Sequence, residues 1–398
     1  MPVPVSFDLD RLRDRALHPI GEKLCAGERL SIADGVTLFC SPDLLGVGAM
    51  ADAANRARHG DRVTFASNQH INPTNVCVLR TTCVFCGFAR LPKEDGAYRY
   101  SIDQVLAESD RADGTITREF HIVGGLDMQA GLEYYQTMFR ALKARHPQVH
   151  IKALTAVEIA HIARIEKMRR EDVLIALREA GLDTLPGGGA ETFSAAVRDV
   201  IADKKLGGAD YIDVHRTAHK LGIRSNCTML YGHVETIEDR MQHLHMLREL
   251  QDETGGFLAY IPLAYHPDDN ELGRTLGREG TATTGFDDLR NLAVGRLFLD
   301  NFEHIKSHWI MVSTPMSQIS LHFGVNDIEG TVVREKIYHA VGAHTPQGMT
   351  LPQLLELIRG AGKVPAERDS FYRILREFDP DETGVIDVSI EPLAGAVG

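Results

Sequence analysis

No apolar run in the sequence approaches the ~20 residues of a membrane-spanning helix. The N-terminus, MPVPVSFDLDRLRDRALHPIGEK, has no apolar signal core. A spanning helix and an export signal are therefore not expected, and the cytoplasm is the expected compartment. Basic charge is also short: 43 Lys and Arg stand against 55 Asp and Glu, a net charge of −12. That excludes a general grip on nucleic acid or an anionic membrane surface, while leaving room for a local basic site. Cysteine is scarce, at 6 residues in 398, too few for a disulfide framework in a chain this long. No G-x-G-x-x-G follows a predicted strand, so a Rossmann dinucleotide site has no support. No solenoid repeat or low-complexity block is visible. With 43% hydrophobic and 25% charged residues, the chain has the composition of a globular enzyme.

Residues 1–60 read as a helical extension, with helical apolar spacing in DLDRLRDRAL and LLGVGAMADAANRARHG. From there to about 350, β-rich runs alternate with helical patterns. The runs lie at 65–79, 119–125, 150–156, 181–189, 223–233, 257–267, 304–313 and 319–327. Eight βα units over ~250 residues predict an α/β fold, a TIM-type (β/α)8 barrel. Its least regular part is 268–300. Residues 351–398 read as a small helical C-terminal segment (PQLLELIRGAG, DSFYRILREF) and a poorly ordered tail, EPLAGAVG.

Polar and glycine residues gather at the strand ends, the face on which barrel enzymes carry their chemistry. The sharpest feature is Cys77-Val-Leu-Arg-Thr-Thr-Cys83-Val-Phe-Cys86, three cysteines within ten residues. Three thiolates cannot close a four-coordinate zinc site, and the one local candidate for a fourth ligand is His70. They do suit a [4Fe–4S] cluster with one iron left open. A zinc knuckle completed from a distance, or simply buried cysteines, are the other readings of this spacing. Cys25, Cys40 and Cys227 stand alone and read as small apolar residues.

Gly124-Gly125 after HIV reads as a Gly-rich βα turn. Gly187-Gly188-Gly189 is a costlier run that points to close approach of a ligand. Glu191 then falls at the barrel mouth, placed either to accept from a ribose hydroxyl or an amine, or to cap a helix. His233 and His266 also fall at the mouth, as candidates for proton transfer or substrate contact. Lys152 and Lys306 are surface lysines unless strand phase turns them inward, where they would meet substrate carboxylates. Asp379-Pro-Asp381-Glu-Thr383-Gly384 resembles part of a calcium loop whose closing carboxylate, Glu391, comes one position late.

Taken together, INPTNVC…CVFCGFAR, HIVGGLD, IKALTAVEI, LPGGGAE, TMLYGHVET, DETGGFLAYIPLAYHP and FGVNDIEGT make the chain resemble the radical S-adenosylmethionine superfamily, and within it the aminofutalosine synthase family. The resemblance covers roughly residues 65–350 in order. One departure is plain: the usual C-x3-C-x2-C is here C-x5-C-x2-C, a lengthening that a loop absorbs at little entropic cost. The resemblance implies a cluster on Cys77, Cys83 and Cys86, with Phe85 beside it. It implies that the Gly124-Gly125 backbone binds the methionine amino group of S-adenosylmethionine, and that Gly232-x-x-Glu235 contacts adenine. Asn226 and Thr228 are weaker cofactor candidates. The implied reaction adds the 5′-deoxyadenosyl radical to 3-[(1-carboxyvinyl)oxy]benzoate, giving 6-amino-6-deoxyfutalosine for menaquinone biosynthesis. A flavodoxin- or ferredoxin-type protein would supply the electron. A dehypoxanthine futalosine cyclase, a deazaflavin-forming synthase subunit, and a non-enzymatic iron–sulfur or zinc protein are the alternatives.

Overall fold

The structure, a computed structural model, describes residues 2–110 and 117–379. The calcium-like run beyond Asp379 and the tail EPLAGAVG lie outside those residues.

The N-terminal part forms helices His18–Ala26, Ile32–Cys40 and Leu44–His59. Their ends follow from local chemistry. Gly27 takes a left-handed φ of 68° that stops the first helix. Ser31 and Asp34 form a reciprocal capping box, and the Asp43 carboxylate accepts from Gly46 N. The second and third of these helices pack on Ile237–Thr254 and Gly285–Phe298, outer helices of the barrel. Close approach uses glycine: a Cβ on Gly48 would stand 2.4 Å from the Phe323 ring.

The barrel strands are β1 (Arg62–Ala66), β2 (Asn68–Ile71), β3 (Glu119–Ile122), β4 (His150–Ala153), β5 (Ser225–Tyr231), β6 (Phe257–Ala264), β7 (His304–Ile305) and β8 (Asp327–Gly330). β1 and β2 are one strand position interrupted at Ser67. β2 pairs with β3 and β3 with β4, all parallel. Residues 184–185 bridge Lys152 on one side and Ser225 on the other. β5, β6 and β7 follow in parallel; Lys306 bridges Asp327, and β8 returns to β1. The ring thus has eight positions: β1/β2, β3, β4, 184–185, β5, β6, β7 and β8.

Three expectations are corrected. Of 304–313 only His304–Ile305 is strand, because Trp309–Val312 turns into a short helix that inserts four apolar side chains into the core. Most of 319–327 is not strand either: a helix over Thr314–Ser320, begun by Pro315 and a Ser313 side-chain cap, defers the last strand to Asp327. DSFYRILREF is not a helix. Asp369 accepts from Phe371 N and Arg373 N, turning the chain so that β10 (Ile374–Glu377) pairs antiparallel with β9 (Val364–Arg368), which itself lies beside β1. PQLLELIRG is helical over Leu351–Gly360, and 268–300 holds helices Glu271–Leu276 and Gly285–Phe298.

Lys152 and Lys306 are neither surface residues nor part of the ligand cavity. Both are fully buried within the ring. Lys152 Nζ lies 2.7 Å from Glu119, and Lys306 Nζ lies 2.7 Å from Glu329 and 3.6 Å from Asp327. The Arg368 guanidinium, reaching in from β9, grips Asp327 with both arms, and Thr64 Oγ1 donates to the same carboxylate at 2.7 Å. Three cations face three carboxylates, so the buried charge is balanced. Removing one partner leaves the other charged and desolvated. Lys152→Met should therefore cost about 3–5 kcal/mol in urea unfolding, while Lys152→Met with Glu119→Leu should recover most of it. A single variant with an unchanged midpoint would contradict this reading.

Candidate active site

The C-terminal ends of the strands surround one cavity of about 280 Å³. Cys77, Cys83 and Cys86 all line it, with Phe85 between the last two. Main-chain hydrogen bonds hold the cysteine loop on several sides. Cys77 N donates to Arg90 O at 2.9 Å, Val78 N to Leu126 O at 3.0 Å, Val84 N to Ile201 O at 3.1 Å, and Val84 O accepts from Leu272 N at 2.9 Å. The long spacer is taken up in turns: Arg80 N donates to Cys77 O, and Thr82 N and Cys83 N both donate to Leu79 O. The spacer therefore folds back on itself, and Cys77 faces the same space as the other two thiols.

The donor set fits a [4Fe–4S] cluster. All three cysteines are free, and three thiols converge on a cavity while no fourth Cys lines it. Burial pushes the Cys83 thiol up to about 12 and raises Cys77 as well. Without metal, Cys77 and Cys83 are therefore held as thiols, and metal must displace those protons to bind. Cys227 is buried in β5 as expected, whereas Cys40 is exposed rather than packed.

Gly124 and Gly125, Gly188 and Gly189, Glu191, Thr228 and His266 also line the cavity. Gly124 N donates to the Glu158 carboxylate at 3.0 Å, and Gly125 N donates to Thr74 O at 2.9 Å. Burial raises Glu158 to about 7. Glu191 sits at φ 51°, a strained conformation for a residue with a side chain. It pairs with Lys205, whose ammonium lies 5.3 Å over the Phe85 ring. This links the cysteine loop to the loop after 184–185. His266 bonds Met311 O through Nε2 at 2.9 Å.

Five expected residues are not brought to the cavity wall: Gly187, Asn226, Gly232, His233 and Glu235. A Cβ on Gly187, at φ 86°, would stand 2.3 Å from Asn226 O, so close strand packing requires the glycine there. The Glu235 carboxylate closes its own turn by accepting from Gly232 N and His233 N, and it pairs with Arg240 at 2.8 Å. His233 is buried, with Nδ1 3.0 Å from Glu235 and Nε2 3.1 Å from Leu230 O. Sequence reading missed Glu158, Lys205, Tyr265, Tyr338, His121, His308, Glu329 and Glu335, all of which line the cavity. Only Glu158 carried a local signal, the capping-box spacing Thr155-x-x-Glu158.

Residues 71–247 match the Radical SAM superfamily, and residues 254–380 match the CofH/MqnC C-terminal region. The chain is 45% identical to the aminodeoxyfutalosine synthase of Thermus thermophilus, over 92% of this chain and 98% of that protein. It is 41% identical to the Streptomyces coelicolor protein of the same name, over 90% and 94%. It is 36% identical to the cyclic dehypoxanthine futalosine synthase of Streptomyces coelicolor, over 93% and 92%. The fold is similar to that of methylornithine synthase, with a TM-score of 0.69 at 16% identity, over 87% of this chain and 97% of that one. Gly187→Ala should destabilise the protein by more than about 1 kcal/mol in thermal or urea unfolding, since it combines a left-handed φ with a main-chain clash. Gly188→Ala, whose Cβ would meet only Thr155 Cγ2 at 3.2 Å, should be close to neutral for stability. Equal losses at both would contradict the packing argument.

Proposed function

The chain belongs to the aminofutalosine synthase family of the radical S-adenosylmethionine superfamily, and we propose that it joins the adenosyl part of S-adenosylmethionine to 3-[(1-carboxyvinyl)oxy]benzoate. The product is 6-amino-6-deoxyfutalosine, formed with aryl rearrangement and loss of the vinyl carboxylate, in menaquinone biosynthesis. The observation that carries this reading is the convergence of three thiols, a Gly-Gly strand end and a strained carboxylate on one cavity.

Cys77, Cys83 and Cys86 would hold the [4Fe–4S] cluster. When bound, the cluster supplies the electron that splits the C5′–S bond of S-adenosylmethionine. The N–H groups of Gly124 and Gly125 are already engaged and Gly125 O accepts from Asp127 N at 3.1 Å, so the Gly124 carbonyl oxygen would receive the ligand ammonium. Glu158 fixes that strand end from behind. Glu191, held by Lys205, would accept from a ribose hydroxyl, with Thr228 on the same cavity wall. Phe85, with Lys205 over its ring, covers the cysteine loop and excludes water. His266 is proposed for proton transfer at the mouth. The radical must meet carbon before any weak X–H bond, and the enclosing ring holds the acceptor alkene in attack range. A flavodoxin- or ferredoxin-type donor in the cytoplasm would deliver the electron.

Anaerobically reconstituted protein, given reductant, S-adenosylmethionine and 3-[(1-carboxyvinyl)oxy]benzoate, should yield methionine and an adenosyl adduct by mass spectrometry. Cys83→Ala should yield neither. Free 5′-deoxyadenosine as the main product would overturn the addition reading in favour of hydrogen abstraction, as expected of a cyclase.

A further inference from the structure

Three imidazoles also line the cavity, below the Gly124-Gly125 strand end in strand order: His70 on β2, His121 on β3, and His308 at the start of helix Trp309–Val312. The His70 and His121 rings stack at 4.4 Å, and His308 meets His70 edge-on at 6.4 Å. One nitrogen in each ring (His70 Nε2, His121 Nδ1, His308 Nδ1) is buried with no hydrogen-bond partner among the described residues. Each is a polar atom whose desolvation is uncompensated.

The groups facing these rings are already committed. Glu329, strained at φ 68°, is paired with Lys306 and accepts from Asn68 Nδ2 at 3.1 Å. Glu335 accepts from Ile337 N and Tyr338 N and pairs with His339 at 2.9 Å. Glu119 and Lys152, near His121, pair with each other. Tyr338 packs its ring 6.2 Å from His308. Burial, reinforced by mutual repulsion of charge, holds His70 down to about 3, and burial holds His121 down to about 4. Burial lowers His308 as well, so all three rings are neutral at the floor of the cavity.

Charge decides what such a floor accepts. The ion network around it already balances. A dication would add two uncompensated positive charges to a desolvated site, whereas a carboxylate arriving with one proton adds none. Four carboxylates line the cavity, and Lys205, already paired with Glu191, is the one Lys or Arg among the described lining residues. A dianionic substrate therefore finds no unpaired ammonium or guanidinium there, and the unpartnered ring nitrogens of the imidazoles are the buried groups free to bond it.

We propose that the His70–His121–His308 floor binds the ring carboxylate of the second substrate, which enters together with one proton taken up by these imidazoles. This rests on the reaction proposed above: the alkene must lie beside the cysteine loop, so the ring carboxylate, at the far end of the molecule, reaches the floor. The proton passes from solvent to a ring nitrogen, and no other bond changes. A bound carboxylate raises the imidazole pKa, so affinity should fall as pH rises through that raised value, at most tenfold per unit.

The test is calorimetric titration of reconstituted holoenzyme with S-adenosylmethionine but no reductant, near neutral pH, in two buffers of different ionisation heat. The ligands are 3-[(1-carboxyvinyl)oxy]benzoate and 2-phenoxyprop-2-enoate, which lacks the ring carboxylate. The expected result is uptake of about one proton with the first and none with the second, which should bind at least ~10-fold more weakly. His70→Gln and His308→Gln should each reduce the uptake and weaken only the first ligand. Equal affinities, equal proton uptake, or binding that requires added Zn2+ would overturn the proposal. Adduct formation without proton uptake sinks this proposal alone. Proton uptake on binding, with no adduct once reductant is added, sinks the proposed reaction instead.

Discussion

Main-chain hydrogen bonding holds the loop that carries the three thiols, with Lys205 over the Phe85 ring as a side-chain contact beside it. The loop from Cys77 to Cys86 is pinned to Arg90, Leu126, Ile201 and Leu272, which lie in different connections of the barrel. Backbone pairing of this kind is indifferent to side chains, so it holds the thiols in place whether or not they are charged. The burial that comes with it favours protonated sulfur. Assembly of the cluster must then release protons and is favoured by rising pH, because the thiolate form is the one that binds metal. The longer spacer is taken up in turns on Leu79, and Cys86 N donates to Cys83 O at 3.1 Å.

The cavity wall has two chemically different parts. One holds sulfur, the Gly124-Gly125 strand end and the Glu191–Lys205 pair. The other holds three neutral imidazoles above a balanced set of buried ions. That ion set has a structural part as well. It ties β3 to β4, and β8 to β1, β7 and β9, fastening the ring where hydrophobic packing alone would leave register free. Strained backbone at Glu191 and at Glu329 places one carboxylate in each part. Both are anchored by a lysine, so neither needs a ligand to be satisfied.

Much of this was legible in the sequence, and the parts that were not share a cause. The thiols, Gly124-Gly125 and Glu191 lie at strand ends, and alternation of strand and helix patterns is enough to put strand ends on one face. Cys83, Phe85 and Cys86 are neighbours in the chain, so their meeting needs no long-range information. His121 and His308 are far apart in the chain and reach His70 only because the ring closes; no local pattern marks them. Lys152 and Lys306 look like surface lysines because strand phase decides their direction, and one strand alone does not reveal its phase. Gly232-x-x-Glu235 satisfies a motif, yet the carboxylate is consumed by its own turn and by Arg240. DSFYRILREF carries helical spacing, but Asp369 and the free edge of β9 make a strand the better outcome.

The central claim is that Cys77, Cys83 and Cys86 would hold a [4Fe–4S] cluster whose open iron would take the methionine amino group of S-adenosylmethionine. Electron–nuclear double resonance on the reduced, reconstituted protein tests it directly, using S-adenosylmethionine labelled with ¹⁵N at the methionine amino group. The account predicts a ¹⁵N coupling to the cluster spin that is lost in Cys77→Ala, Cys83→Ala and Cys86→Ala. A well-formed cluster that shows no coupling to the labelled nitrogen would contradict it.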